Sequence, residues 1–169
     1  MRLHAAKVPK LASEMLSALT RDGDIECESP SEVQADIDAV LAQYVRDEAE
    51  ITEKARDIIA SRGLASTELG REKRRLAEQR GLKIDDEAVD YLLDQLIEML
   101  MHSTNVAEVY SEDVVLRRKL RDPLRREIAA DADLEKEVRG RLKHVKEGSA
   151  LWEIEYRRMM DDIKRRKGL

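Results

Sequence analysis

Apolar side chains in this chain return every three or four residues, and they do so twice in the same register. Val8, Leu11, Ala12, Met15, Leu16 and Leu19 have the i, i+3, i+4, i+7 spacing that turns one stripe of a helix toward a core. Val89, Leu92, Leu93, Leu96, Ile97 and Leu100 repeat those six positions at an offset of 81. A stripe of that period cannot work as a strand, where alternate residues share a face. Both halves of the chain are thus committed to packing helix on helix.

Any two amphipathic helices agree in part, so the irregular sequence beyond them is the better test of a repeat. Ile25 falls on Val106 at the same offset. Val33, Ile37, Leu41, Ala49, Ile51, Ala55 and Ile59 then fall on Leu116, Leu120, Leu124, Ala132, Leu134, Val138 and Leu142 at an offset of 83, with Arg56 on Arg139. Gly63 meets Gly148 at 85, and Leu69, Leu76, Arg80, Gly81 and Leu82 meet Tyr156, Ile163, Lys167, Gly168 and Leu169 at 87. Slips of two residues belong in connections, where insertions are tolerated. Val40 against Pro123, Tyr44 against Glu127 and Ile58 against Arg141 do not match. The pattern is that of an internal duplication: one helical repeat over residues 1–82, a second over 83–169, together one compact unit packed about a pseudo-twofold axis.

Local signals divide each repeat into about four helices. Ser31 with Gln34 has the form of a capping box. The apolar face restarts out of phase near Asp47–Glu50, which predicts a break, and Gly63 ends the third helix. Ser66 or Thr67 opens the fourth and Gly81 closes it. In the second repeat the expected caps are Asp85 or Asp86, Ser111, Asp131 or Asp133, and Ser149. Pro123 kinks or splits the helix after Ser111. Residues 24–28 and 105–110 read as short extended pieces, paired with one another.

Charged residues make up 40% of the chain and aromatics 3%, with no phenylalanine, a mixture that suits solvated helices and not sheets. The fold class is all-α. Its signs are segregated: residues 22–53 hold eleven acids and one base, Arg46, whereas residues 117–126 hold six bases and one acid, Asp122. The single cysteine, Cys27, excludes an intramolecular disulfide. No long apolar run and no secretory signal pattern is present, so the expected compartment is the cytoplasm and no membrane partner is expected.

The residues for catalysis exist but are not assembled. His4, His102 and His144 are far apart and lack the i, i+4 spacing of a zinc helix; Glu98 and His102 alone make no site. Cys27 lies between Glu26 and Glu28, whose charges oppose thiolate formation. Asp85-Asp86 and Asp161-Asp162 are adjacent pairs that point apart on a helix. Gly-rich phosphate loops and nucleophile elbows are missing. No catalytic, cofactor-binding or metal residue is assigned, and the chain reads as a non-enzyme.

Binding is the remaining class. Arg117, Arg118, Arg121, Arg125 and Arg126 flank the stripe Leu116, Leu120, Leu124 and Ile128 as a basic ridge, with Arg139, Arg141, Lys143 and Lys146 beyond it. Such a ridge suits an acidic protein surface or a phosphate backbone, and it is also open to compensation from the acidic segment Ser31–Tyr44 at the corresponding place in the first repeat. A net charge of −5 and few aromatics weigh against nucleic acid. Trp152 and Tyr156 give the last helix more apolar surface than its counterpart, to cover the other repeat or to meet a partner. The expectation is an adaptor for an unidentified protein, with nucleic-acid binding through Arg117–Arg126 as the alternative.

MRLHAAKVPKLASEML at the start, the acidic DIECESPSEV, and the closing GSALWEIEYRRMMDDIKRRKGL together resemble the uncharacterised bacterial family catalogued as domain of unknown function 507, here as two tandem copies. The resemblance covers essentially the whole chain. It implies bacterial origin and a helical fold, and brings no reaction, ligand or functional residue with it. Cys27 and Pro123 look particular to this chain.

Overall fold

A computed structural model describes residues 3–147 and 149–167. Its elements are α1 (Val8–Thr20), β1 (Ile25–Cys27), α2 (Pro30–Arg62), α3 (Leu69–Arg80), α4 (Ala88–His102), β2 (Val106–Val109), α5 (Asp113–Arg141) and α6 (Ala150–Arg166), with short 3-10 turns before α1, α3 and α4. The protein is mainly all-α, 78% helical with six helices and one small two-stranded sheet among the described residues. The same order of helix, strand, long helix and helix runs through each half.

Three expected breaks are corrected. α2 runs unbroken through Asp47–Glu50, and α5 runs unbroken through Pro123, Asp131 and Asp133. At Pro123 the helix forgoes one internal hydrogen bond and continues, and a single physical reason covers the other two. The buried positions of α2 are Val33, Ile37, Leu41, Tyr44, Glu48, Ile51 and Ala55, a steady three-or-four spacing that contains an acid. Counting Glu48 as polar interrupts the stripe, but Lys73 donates to it at 2.9 Å and the stripe continues. Asp131 does the same on α5, where its partner is His4. The chain therefore has six described helices and not eight.

Caps are corrected too. α2 starts at Pro30 behind Ser29, not at Ser31, because proline fits a first helical position that has no hydrogen bond to lose. Ser111 lies just before the cap of α5, Glu112, and donates to Asp24 at 2.6 Å. Ser149 caps α6 as expected, accepting from the Trp152 amide at 3.1 Å. Gly63 and Gly81 close α2 and α3 in the left-handed conformation that glycine adopts without strain. The correspondences expected at Gly148, Gly168 and Leu169 lie outside the described residues.

α1 and α4 each pack against both α2 and α5, so the four make a ring. Every expected face residue of α1 is buried, as are Leu92, Leu93, Leu96, Ile97 and Leu100 of α4. Met15, Leu19, Ile37, Leu41, Leu92, Leu96, Leu116 and Leu120 are fully buried, each contributing about 1.5–3 kcal/mol. The long helices span about 50 and 43 Å at 1.5 Å per residue, about twice α1 or α4. Their overhangs carry α3 on α2 and α6 on α5. Under α6 lies a separate small core of Leu134, Val138, Leu142, Met160 and Ile163.

β1 and β2 pair antiparallel at one end of the ring, as the extended pieces predict, with Ile25 opposite Val109, Glu26 opposite Glu108 and Cys27 opposite Val106. The bonds flanking the ladder correspond. Tyr110 and Ser111 amides donate to the Asp24 carbonyl at 2.9 and 3.3 Å, and Glu28 and Ser29 amides donate to the Asn105 carbonyl at 2.9 and 3.5 Å. Behind the sheet Asp36 of α2 accepts from Ser103 Oγ and Asn105 Nδ2 at 3.0 and 3.1 Å. At the offset of 83, Asp36 falls on Lys119 of α5, which donates to Asp22, at 2.6 Å, and to Asp24. Asp22 and Asp24 fall on Ser103 and Asn105 at the offset of 81. Donor and acceptor have exchanged places while the geometry is kept.

Candidate functional site

A cleft of about 650 Å³ opens where the long helices overhang the ring. It is lined by Val45, Glu48, Ala49, Thr52, Glu53 and Arg56 from α2, and from α5 by Ile128, Asp131, Ala132, Glu135 and Arg139, which are the α2 positions 83 residues on for all but Glu53. Alanines leave the space open. The two buried acids face into it, Glu48 held by Lys73 and Asp131 by His4. Arg56 pairs with Glu53, and Arg139 stands 4.0 Å from Glu147. Its charges are thus largely taken up by one another. Among the described residues no three of His, Cys, Asp or Glu converge where a metal ion would sit. Cys27 is half-buried, and burial pushes its thiol further from ionisation.

The basic ridge is divided by its partners. Arg117 donates to Asp113 at 2.5 Å and Asp94 at 2.6 Å, and those bonds hold its guanidinium still further above its usual range. Arg121 donates to Asp90 at 2.7 Å, although its buried Nε has no partner. Lys119, inside the ridge, goes to Asp22 and Asp24. Arg126 reaches Glu14 at 3.9 Å, while exposed Arg118 and Arg125 have no ion-pair partner among the described residues. The acids that meet the ridge belong to α1, α4, the turn before β1 and the start of α5 itself, not to Ser31–Tyr44. Half the ridge is consumed internally.

Trp152 and Tyr156 stack with ring centroids 4.8 Å apart and are half-buried against the small core under α6. They hold α6 to its own half's long helix, and the helix does not cross to the other. The face they leave to solvent carries Leu151 and Ile154, 60% and 64% exposed. Sequence reasoning missed this pair, although its i, i+3 spacing on the side opposite Tyr156, Met160 and Ile163 was visible. It missed a second set as well: Met101 in the last turn of α4, Tyr110 just after β2 and Val114 in the first turn of α5 are 61%, 64% and 74% exposed in the segments that flank the sheet. Isolated exposed apolar side chains are ordinary, so the grouping is the informative feature.

Fold and surface together define a mainly helical protein whose buried acids, Asp24, Glu48 and Asp131, are each held by a partner and whose unpaired charges lie at its two ends and along part of α5. Among the described residues no helix is long and apolar enough to cross a membrane. The chain belongs to DUF507, a family of proteins of unknown function, whose model matches residues 1–169 in a single span. No curated protein matches it.

Proposed function

We propose that the protein is a non-enzymatic cytoplasmic adaptor that binds another protein, built from two diverged copies of one helical unit, residues 1–82 and 83–169, about a pseudo-twofold axis. The duplication rests on the matched order of elements, the cleft positions at one constant offset and the exchanged Asp36 and Lys119 networks. Absence of catalysis rests on the cleft, whose two buried carboxylates are both engaged, Glu48 by the Lys73 ammonium and Asp131 by the His4 ring. The observation that carries protein binding is the exposed pair Leu151 and Ile154 on a helix whose other face is already packed. Apolar side chains ringed by charge are what protein interfaces use, and a phosphate backbone has no use for them.

Nucleic-acid binding is the alternative, favoured by free Arg118 and Arg125. A photo-crosslinking amino acid in place of Ile154, activated in native cytosol, separates the two. The adaptor forms discrete protein adducts that survive nuclease; adducts to nucleic acid alone, or none at position 154 with some at position 118, reverse the choice.

A further inference from the structure

The two groups of exposed apolar side chains carry opposite charge. At the sheet end, residues 22–32 and 98–113 hold nine acids and no lysine or arginine. Asp22, Asp24 and Asp113 are taken up by Lys119 and Arg117. Glu26, Glu28, Glu32, Glu98, Glu108 and Glu112 have no ion-pair partner among the described residues. Against them stand two cations without an ion-pair partner among the described residues, Arg21 beside Asp22 and Arg118 a turn after Val114, the latter within electrostatic reach of Asp24. Glu26 and Glu108 even oppose each other across the strands, where like charges repel.

At the other end, residues 139–158 hold six lysines and arginines against three acids. Lys143, Lys146, Arg157 and Arg158 have no ion-pair partner among the described residues, and nor do the two acids beside Ile154, Glu153 and Glu155, which leaves four unpaired lysines and arginines against two acids. Lys143 and Lys146 lie in the connection before α6, and Arg157 and Arg158 follow Leu151 and Ile154 along it, at the far end of α5, where α6 packs back along Leu134, Val138 and Leu142. Val114 is at the start of α5, so about 40 Å of helix separates the two groups.

We propose that the acidic sheet end of one molecule docks on the basic tip of a second copy of this chain. Each end offers two or three apolar side chains to bury and a charge of the sign the other lacks. Because the complementary patches lie at opposite ends, the contact is head-to-tail: it does not close on itself in a pair, and it leaves one sheet end and one tip free at the termini of a growing assembly. This inference rests on the reading of the ends as interaction surfaces and names the partner. Charge steering also makes the association salt-sensitive.

Sedimentation velocity of the purified full chain, from micromolar to about 1 mM, tests it. At low salt the average mass rises above the monomer with concentration, and raising NaCl to about 0.3 M weakens association about tenfold or more. Leu151→Glu with Ile154→Glu abolishes it from the tip, and Val114→Lys with Glu108→Lys abolishes it from the sheet end. Mixing the two double variants restores one contact and gives a 1:1 dimer that grows no further. Ile154→Ser, a mild change at an exposed position, weakens association in the same direction. A wild-type chain that stays monomeric throughout overturns the inference, and protein adducts at position 154 would then leave the adaptor reading standing. Association that survives either double variant, or a mixture that stays monomeric, overturns it equally.

Discussion

Glu48 on α2 and Asp131 on α5 face one cleft from corresponding turns of the two long helices, both about 6% exposed and both held by a side chain from outside their own helix, Lys73 and His4. A buried carboxylate contributes little to stability while paired and costs a great deal once its partner is removed. Lys73→Met therefore destabilises the protein by about 2–4 kcal/mol in urea denaturation, and adding Glu48→Leu recovers most of that loss. Equal losses in the single and double variants would show that Lys73 acts through packing and not through charge.

Acid weakens the fold through carboxyls held ionised. Hydrogen bonds from Lys54 and then Arg80 lower Glu50 to about 2 from an ordinary 4.5. For Asp24 burial pushes upward, but hydrogen bonds from Lys119 and Ser111 and the charges of Lys119 and Arg118 together leave it below its ordinary value. Both groups bind fewer protons folded than unfolded, so their stabilisation is complete above about pH 4.5 and is lost as pH falls toward about 2. Urea midpoints fall across that window, and they fall less in Lys119→Met, whose Asp24 has lost its cation. A midpoint that rises on acidification contradicts the assignment.

Repulsion between Glu26 and Glu108 opposes the strand pairing it sits in. Glu108→Thr removes one charge, adds a β-branched residue and stabilises by about 0.2–1 kcal/mol, read as a higher melting temperature. Tyr110 donates to Glu26 at 2.6 Å, so Glu26 is the acid better left in place.

Trp152 is the single tryptophan and sits over the small core under α6. Five buried side chains hold that arm, far fewer than hold the ring. Its fluorescence transition comes at lower urea than the far-ultraviolet helical signal, because weakly held units open first. Coincident transitions would make arm and ring one cooperative unit.

Much of this was legible from periodicity. α1 and α4 bury the stripes their spacing marks, and the paired extended segments follow from short β-branched pieces between helices. The helix count was not legible, because Glu48 and Asp131 look like breaks until Lys73 and His4 arrive from distant parts of the chain. The ridge was visible as a run of arginines, but its division into spent and free cations depends on Asp90 and Asp94 of α4, which only the ring packing brings within reach. Trp152 and Tyr156 drew notice as large aromatics, yet they are inward anchors, and the outward face belongs to the plainer Leu151 and Ile154.

The most direct measurement is a gentle low-salt capture from native cytosol with the tagged wild-type chain and with the Leu151→Glu, Ile154→Glu variant, each split with and without nuclease. A protein adaptor yields a stoichiometric protein that stays bound after nuclease and is lost with the variant. Captured material that absorbs at ~260 nm and vanishes with nuclease, or a protein that the variant retains in full, would contradict it.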